Sequence, residues 1–268
     1  MSETYDLIVI GAGMAGGAAA NKCAAKGWRV VIVDSLPYGG TCALRGCDPK
    51  KILRRGAEII DAARLMRGKG IDEGSLAINW PDLMKQKRGF TDPIPSRMEE
   101  ELTGNSVETL HGHACFTGAH HIQINGAVYD AGRFLIATGA RPRPMDFIGH
   151  EYLIDSTDFL DLNALPARIV FVGGGFVSFE FAHIAARAGS SVVIVDRGER
   201  PLKGFDPDLV ELLVDRGQQI GIEMRQRSTI VSVERRDPAY RVTLETAGAL
   251  ETIETDLVVH GAGRVADL

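Results

Sequence analysis

A glycine-rich turn between an apolar run and a small-residue segment is the feature that most restricts how this chain can fold. Leu7 to Ile10 form a short apolar run typical of a buried parallel strand, and a Gly-x-Gly-x-x-Gly motif follows at once. An alanine-rich segment and a second apolar run, Val30 to Val33, come next and end at Asp34. This order of strand, turn, helix, strand and acid predicts a dinucleotide-binding βαβ unit.

The three glycines of this motif have separate physical roles. Gly11 permits the tight turn, Gly13 lets a pyrophosphate approach the backbone, and Gly16 lets the helix pack closely against the strand. The N–H groups at the start of the helix then face the phosphates. Asp34, about 20 residues further on, is placed to accept hydrogen bonds from an adenosine ribose.

The same pattern returns over residues 168–196. Gly173 and Gly175 match the first two glycines, and Ser178 stands in place of the third, where a small side chain still allows close packing. Two such units predict an α/β protein with two Rossmann-like domains, at residues 1–150 and 151–268. Two dinucleotide cofactors, or one cofactor and one vestigial unit, are both compatible with this pattern.

Bulk composition excludes several classes of function. The chain has 268 residues and a net charge of −5, so it has no basic surface for nucleic acid or an anionic membrane. No apolar run approaches the roughly 20 residues of a membrane span, and the first residues do not resemble a signal peptide. With four cysteines, a disulfide scaffold is not expected, and we expect a cytoplasmic protein.

The region between the two units predicts strands and one helix. Arg133 to Ala137 form a short strand, and residues 106–130 predict short antiparallel strands with a hairpin turn at Asn125–Gly126. Residues 48–66 have helical spacing. The apolar face expected for this helix consists of Ile52, Ile59 and Ala63.

Two cysteines, Cys42 and Cys47, lie in the stretch GGTCALRGCDPKK at residues 39–51, where a loop enters that helix. Residues five apart do not face one another in a regular helix, so a disulfide here requires a distorted turn, for which Gly46 offers the backbone freedom. A metal site needs about four ligands, and no second pair has suitable spacing. A redox pair and two small residues at a turn both remain possible. Cys23 and Cys115 are expected to be core residues.

The order of motifs resembles the pyridine nucleotide-disulfide oxidoreductases, the family of glutathione reductase, dihydrolipoamide dehydrogenase and mercuric reductase. GGTCALRGCDPKK is similar to the family's dithiol motif, and its double lysine resembles glutathione reductase. GHA, ATGARP, the second glycine motif and GAGRV follow in the family's order. The resemblance implies FAD on the first unit and NAD(P)H on the second.

The resemblance also implies which residues contact each cofactor. Those implied for FAD are Gly11, Gly13, Ala15, Gly16, Asp34, Gly40, Thr41, Lys50, Ala114, Thr138 and Gly139. Those implied for NAD(P)H are Gly173, Gly174, Gly175, Phe176, Val177, Glu180, Asp196, Arg197, Lys203 and Gly263. Phe176 would be an aromatic gate over the nicotinamide pocket.

For catalysis, the resemblance implies electron transfer from NAD(P)H through FAD to a Cys42–Cys47 disulfide, and from there to a small disulfide substrate. Cys47 would lie nearest the flavin, and Cys42, expected to be the more exposed, would attack the substrate. Glu180 would pair with Lys50 or Lys51 beside the flavin.

The sequence departs from the family at its end. It stops at GAGRVADL, where relatives return to the FAD domain and add a dimerisation domain carrying the acid–base histidine. We therefore expect a fragment, monomeric and weak in FAD binding by itself, from a homodimeric full-length protein. A mercuric-reductase-like or coenzyme A-disulfide-like enzyme is an alternative. If the length is natural, a non-catalytic FAD/NAD(P)-binding module is another.

Substrate and nucleotide residues also depart from glutathione reductase. Met14 and Asn21 stand where that enzyme has a serine and an arginine, and Met98 aligns with its tyrosine. The identity of the disulfide substrate is therefore not implied. Asp196 favours NAD, whereas Arg197 and Lys203 resemble the residues that hold the 2′-phosphate of NADP, so both nucleotides stay open.

Overall fold

The computed structural model describes residues 3–72, 74 and 76–268, and both predicted strand–helix–strand segments are present. The helices are α1 (Met14–Ala24), α2 (Cys47–Leu65), α3 (Trp80–Thr91), α4 (Ile94–Gly104), α5 (Ser156–Phe159), α6 (Phe176–Arg187) and α7 (Pro207–Gln219). The strands are β1 (Glu3–Tyr5), β2 (Leu7–Ile10), β3 (Val30–Asp34), β4 (Val107–His111), β5 (Ala114–Phe116), β6 (His121–Ile124), β7 (Ala127–Ala131), β8 (Phe134–Ile136), β9 (Ala140–Pro142), β10 (Arg168–Val172), β11 (Ser191–Val195), β12 (Ile222–Arg225), β13 (Ser228–Arg236), β14 (Ala239–Thr246), β15 (Ala249–Thr255), β16 (Leu257–His260) and β17 (Arg264–Ala266). A π-helical turn spans Thr41–Arg45, and a 3₁₀ turn spans His150–Tyr152.

The chain divides into two compact units, and each contains one of the predicted βαβ units. The first unit consists of Met1–Pro49, Arg88–Arg141 and Ala266–Leu268, and the second of Lys50–Lys87 and Pro142–Val265. Both units are discontinuous in sequence, unlike the two continuous domains expected at residues 1–150 and 151–268. That domain division stays a prediction.

A parallel sheet organises the first unit, with strand order β4-β3-β2-β8. Leu7 aligns with Val30, and Val30 aligns with Val107. Val30 to Val33 are all buried, because apolar clusters cover both faces of β3. This burial explains the continuous apolar runs that predicted the sheet.

A second sheet of the first unit has the order β1-β7-β6-β5. Strands β5, β6 and β7 are antiparallel, and Ile124 pairs with Ala127 across the predicted Asn125–Gly126 turn. Both turn residues have positive φ, as a tight hairpin turn requires. Residues 107–111, predicted as another antiparallel strand, instead pair parallel to β3 as β4. An edge strand is only partly buried, and its mixed polar pattern therefore resembles that of a solvent-facing antiparallel strand.

The second unit also contains a parallel sheet, ordered β12-β11-β10-β16, beside an antiparallel meander of β13, β14 and β15. Val170 on the central strand β10 pairs with Val193 on one side and Val258 on the other. An aromatic cluster that includes Phe159 and Phe171 packs in the core of this unit. The predicted strand–helix–strand over residues 168–196 is confirmed.

The buried face of α2 differs from the predicted one. Leu53, Ala57 and Ile60 are buried, whereas Ile59 is 51% exposed. Two apolar doublets, Ile52–Leu53 and Ile59–Ile60, make two neighbouring faces almost equally apolar, so spacing alone does not choose between them. Packing of Leu53 and Ala57 into the aromatic core decides the face.

Two smaller expectations are also corrected. The strand expected at Arg133 to Ala137 is shorter, with β8 at Phe134–Ile136. Cys115 is exposed rather than a core residue, because β5 is the edge strand of its sheet. Cys23, also expected in the core, is half-buried on α1 and packs against the edge of the core.

The close packing of α1 gives a stability prediction with a matched control one residue away. An added Cβ at Gly16 would lie 1.9 Å from the carbonyl oxygen of Gly11, whereas at Gly17 it would meet only the flexible Met98 tip, at 2.6 Å. We expect Gly16→Ala to lower the free energy of unfolding by roughly 3 kcal/mol, because backbone must shift. Gly17→Ala should change it by less than about 1 kcal/mol, since helix propensity offsets the contact. Denaturant titration of both variants measures the difference; equal losses would contradict this packing.

Candidate functional site

The first glycine turn rests on backbone contacts that exclude a Cβ atom. Gly11 has a φ of +107°, and an added Cβ would lie 2.3 Å from the carbonyl oxygen of Ala137. The same Cβ position is 3.0 Å from the backbone nitrogen of Thr138. Thr138 and the exposed Gly139 therefore follow β8 directly beside the glycine turn. Helix α1 begins immediately against the carboxyl end of the parallel sheet.

Helix α1 presents an N-terminus suited to an anion. Gly13 is its N-cap in extended conformation and offers no side-chain acceptor, and the first turn contains no acidic residue. Ala15 is exposed in that first turn. The unpaired N–H groups and the positive end of the helix dipole therefore fit a pyrophosphate.

Asp34 lies at the end of β3 beside this helix start. One carboxylate oxygen accepts a hydrogen bond from the Ala12 N–H at 2.7 Å, and the other accepts from the Leu36 N–H at 2.9 Å. Each oxygen retains a second lone pair that could accept from a ribose hydroxyl. The Gly112 N–H donates to the Asp34 carbonyl at 2.9 Å, which brings the loop leading to Ala114 to the same edge.

Residues 39–47, which carry both cysteines and which we call the dithiol turn, contact the first glycine turn through backbone atoms. An added Cβ at Gly40 would lie 2.6 Å from the Cα of Gly13. Thr41 then opens the π-helical turn that ends at Arg45, and Gly46 leads into α2, whose first residue is Cys47. The π-helical turn contains Cys42, and Cys47 follows it after Gly46. A distorted turn of the kind that a Cys42–Cys47 disulfide would require is therefore present.

The exposure of the two cysteines is the reverse of the prediction. Cys42, expected to be the more exposed, is half-buried, and Cys47 is exposed. Cys42 belongs to the π-turn that packs against the glycine backbone, whereas Cys47 lies at the open start of a helix. Their separate chemical roles stay predictions.

The second glycine turn repeats the first with one substitution. An added Cβ at Gly173 would lie 2.5 Å from the Cα of Ala262, and Gly175 is an N-cap without a side-chain acceptor for α6. Ser178, in place of the third glycine, is fully buried, so a serine is small enough for the helix to pack. Within the described chain, its hydroxyl has no hydrogen-bond partner.

A cleft of about 910 Å³ opens beside this turn in the second unit. Most residues implied for NAD(P)H line it: Gly173, Gly174, Gly175, Phe176, Val177, Asp196, Arg197, Lys203 and Gly263. Its volume lies in the range of cofactor sites. The uncapped α6 N-terminus and the glycine backbone in its wall fit a dinucleotide pyrophosphate.

Both kinds of nucleotide-selecting residue meet at one end of the cleft. An added Cβ at Gly198 would lie 3.0 Å from Asp196 Oδ2 and 3.3 Å from Lys203 Nζ. Arg200 donates to the carbonyl oxygens of Phe205 and Lys203, which holds this loop in place. Asp196, which could accept from a ribose hydroxyl, and Lys203, which could pair with a 2′-phosphate, therefore both lie beside Gly198.

Several cleft residues escaped the sequence analysis: Arg143, Ser156, Ser228, His260 and Arg264. Arg264 lies in the GAGRV motif, where the sequence analysis assigned it no separate role. The others come from strands, a loop and the start of α5, far apart in the chain, and no local motif marks them. His260 Nδ1 accepts a hydrogen bond from the Ala262 N–H, and its Nε2 donates to the Arg143 carbonyl.

Glu180 lies outside this cleft, although it was implied as a nucleotide contact. Its carboxylate forms an ion pair with Lys50 at 2.5 Å, so Lys50 rather than Lys51 is the lysine that pairs with it. The pair joins α2 and α6 and borders a smaller cavity of about 260 Å³. A role for this pair beside a flavin stays a prediction.

A charged network that the sequence analysis missed lines the same small cavity. Asp61 on α2 accepts from Arg187 at 3.2 Å and from Arg216 at 2.6 Å. Burial opposes ionisation of this carboxyl, but the two guanidinium groups hold the pKa of Asp61 below its usual value. Glu180, His183 and Arg187 follow at helical spacing on α6, which was the available sequence signal.

His183 is the titratable group of this network. Its Nδ1 accepts from Arg187 at 2.9 Å, so the neutral ring carries its proton on Nε2, for which the described residues supply no acceptor. Burial, assisted by the Arg187 charge, lowers the pKa of His183 to about 4. The ring is therefore neutral near pH 7.

Across the described residues, no group of three or more histidine, cysteine, aspartate or glutamate side chains is arranged to hold a metal ion. No helix in the described part of the chain combines the length and apolarity that crossing a membrane requires.

The chain belongs to the pyridine nucleotide-disulphide oxidoreductase family, whose model matches residues 5–268. It is 35% identical over 261 residues to a glutathione reductase from Burkholderia cepacia, covering 97% of this chain and 58% of that protein. It is 31% identical over 270 residues to a dihydrolipoyl dehydrogenase from Mycoplasma genitalium, covering 98% and 58%. A mercuric reductase from Lysinibacillus sphaericus is 31% identical over 265 residues, covering 98% and 48%. The family uses FAD and NAD(P)H.

A solved structure shares the fold. It is a copper(II) complex of a mutant of RclA, the HOCl-induced flavoprotein disulfide reductase of Escherichia coli, with a TM-score of 0.85 and 22% identity. The match covers 98% of this chain and 57% of that one. The chain thus spans about half the length of these proteins.

The pKa of His183 gives a pH-dependent prediction. An unfolded histidine titrates near pH 6.5, whereas folded His183 titrates near 4, so folding favours the neutral ring. Its stabilising contribution is therefore complete above about pH 6.5 and is lost as the pH falls towards 4. Between pH 7.5 and 5, we expect the native protein to lose about 1 kcal/mol more unfolding free energy than His183→Gln, after discounting for partial exposure.

Denaturant titrations at the two pH values measure that loss for each variant. His113→Gln, which changes an exposed histidine, is the matched control and should follow the native pH dependence. Identical pH dependence of the native protein and His183→Gln would contradict the buried neutral histidine.

Proposed function

We propose that the chain is the FAD- and NAD(P)H-binding part of a disulfide oxidoreductase. Electrons would pass from NAD(P)H through FAD to a Cys42–Cys47 disulfide, and then to a small disulfide substrate. Family membership supports the class of reaction, and the chain's own geometry supports the assignment of residues. We further propose a cytoplasmic, homodimeric full-length protein, with this chain alone monomeric.

The π-helical turn that contains Cys42 and ends two residues before Cys47 is the observation that carries the proposal. A five-residue turn with glycines on both sides is unusual, and π-turns are enriched at functional sites. It interrupts the regular helix in which two residues five apart would not face one another, as a Cys42–Cys47 bridge requires. Two ordinary small residues at a loop would not require this distortion.

The proposed binding roles follow from the two helix starts. The N-termini of α1 and α6, capped by Gly13 and Gly175 without a competing side chain, would hold the two pyrophosphates. Asp34 and Asp196 would accept from the adenosine riboses. Phe176, 55% exposed at the wall of the 910 Å³ cleft, would cover the nicotinamide pocket.

FAD, when bound, would supply the redox chemistry that links a hydride donor to the cysteine pair. The chain's residues would then carry the thiol chemistry. Reduction of the Cys42–Cys47 bond takes up two electrons and two protons and yields two thiols. Attack of one thiolate on a substrate disulfide forms a mixed disulfide, which the other thiol resolves. The Lys50–Glu180 pair would hold the lysine ammonium in a fixed position.

Counting thiols under anaerobic conditions tests this function. The oxidised chain is saturated with FAD, NADH or NADPH is added, and accessible thiols are counted after denaturation with a chromogenic reagent. We expect two additional thiols per chain. Cys42→Ser and Cys47→Ser should each abolish that gain, because neither cysteine alone can form the internal bridge.

Cys115→Ser is the matched control, since Cys115 is exposed but lies outside the dithiol turn. It should retain the gain of two thiols. A chain that binds FAD yet gains no thiols with either nucleotide would contradict the proposed electron path. Failure to bind FAD at all would contradict the cofactor assignment.

A further inference from the structure

We propose that the surface beside the dithiol turn selects an uncharged disulfide over an anionic one. This inference rests on the proposed function, in which Cys42 attacks the substrate. The surface consists of Met14 and Asn21 on α1 with Met98 and Glu101 on α4, followed by Asn105 at the end of α4. We call these five residues the α1–α4 strip.

Backbone contacts place one end of the strip beside the dithiol turn. Gly13, which directly precedes Met14, contacts the Cα region of Gly40. An added Cβ at Gly39 would lie 2.9 Å from the side chain of Leu44 and 3.2 Å from that of Ile94, the first residue of α4. Both helices of the strip therefore begin at the turn that carries Cys42. The substituents of a disulfide bound at Cys42 on this side would extend over the strip.

The end of the strip nearest the turn is apolar. Met14 is 60% exposed, and Met98 is half-buried with its terminal methyl 2.6 Å from the position of a Cβ at Gly17. Thioether side chains are flexible and adapt to apolar surfaces, and they make only weak hydrogen bonds. They favour an aliphatic or aromatic substituent next to the disulfide.

At the far end of the strip, each asparagine amide already donates one of its two N–H groups. The Asn21 amide donates to Glu101 Oε1 at 3.1 Å, and the Asn105 amide donates to Asn21 Oδ1 at 3.1 Å. The charged group held by these bonds is the Glu101 carboxylate. A substrate carboxylate would meet a like charge here, so binding would cost electrostatic energy and lose the strip's own hydrogen bonds. Arg45 in the dithiol turn and Arg97 on α4 are the cations that oppose this preference.

The chemical step is an ordinary exchange. The Cys42 thiolate attacks one sulfur of a disulfide, the S–S bond breaks, and a Cys42 mixed disulfide forms while the other sulfur leaves as a thiolate. Two chromogenic probes differ mainly in charge. 4,4′-Dithiodipyridine is neutral near pH 7, and 5,5′-dithiobis(2-nitrobenzoate) carries two carboxylates.

The test uses the full chain with Cys23→Ala, Cys47→Ser and Cys115→Ser, so that Cys42 is its remaining thiol. Second-order rate constants for both probes follow from the absorbance of the released thiol. Dividing by the rates for 2-mercaptoethanol at the same pH removes each probe's intrinsic reactivity. We expect about a fivefold preference for the neutral probe, as unfavourable charge contacts at a binding surface produce.

Glu101→Lys in this background should reduce that preference about threefold or more, because it reverses the charge in the strip. Glu100→Lys makes the same charge change on the same helix but outside the strip, and its effect should be less than half as large. Glu101→Gln provides the smaller, isosteric change in case the lysine variant fails to fold. Circular dichroism confirms folding of each variant.

A preference for the dianionic probe would overturn the inference, since Arg45 and Arg97 would then decide the selectivity. Equal effects of Glu101→Lys and Glu100→Lys would also overturn it. The measurement needs no flavin and no nucleotide. The proposed selectivity can therefore be wrong while electron transfer to the dithiol is right, and the proposed electron path can be wrong while the selectivity is right.

Discussion

The backbone contact between Gly13 and Gly40 is the constraint on which the first unit's site depends. An added Cβ at Gly40 would lie 2.6 Å from the Cα of Gly13, so the two segments can approach this closely only with glycine at position 40. Gly40 also has a positive φ of +60°, which a larger residue adopts at a cost. One contact thus fixes the dithiol turn at the start of α1, whose N-cap Gly13 has no side-chain acceptor. This geometry would join the anion site and the thiol chemistry that we propose.

In the second unit, ion pairs join α2 and α6 at two positions along the helices. Lys50 pairs with Glu180 near the start of both helices, and Asp61 pairs with Arg187 near their ends. The two pairs are about two to three helical turns apart, so together they fix the position of one helix along the other. A single pair would constrain that position less. His183 lies between them as a neutral acceptor for Arg187. The network therefore supports the position of Lys50 without contacting it.

The sequence predicted what local chemistry determines. Both βαβ units follow from short apolar runs, glycine turns and a terminal aspartate, all within 30 residues of one another. The Asn125–Gly126 hairpin turn follows from two residues with a preference for positive φ. The spacing of Cys42 and Cys47 also implied that a disulfide between them would need a distorted turn.

Non-local packing determined what the sequence did not predict. The parallel pairing of β4 depends on a neighbour more than 70 residues earlier in the chain. The buried face of α2 depends on which apolar doublet meets the aromatic core. Exposure of the two cysteines depends on the contact between Gly13 and Gly40, and the Asp61 network joins three helices that are distant in sequence. No pattern within a single segment contains that information.

Peptide mapping of the chain purified without reductant tests the central claim most directly, that the π-turn makes Cys42 and Cys47 a disulfide-forming pair. Trypsin cleaves after Arg29, Arg45 and Lys50, so the two cysteines fall on separate peptides, 30–45 and 46–50. After alkylation of accessible thiols, mass spectrometry should detect these peptides linked, and reduction should separate them. Under the same oxidising conditions, both peptides alkylated singly, or either one linked to the Cys23 or Cys115 peptide, would contradict the account.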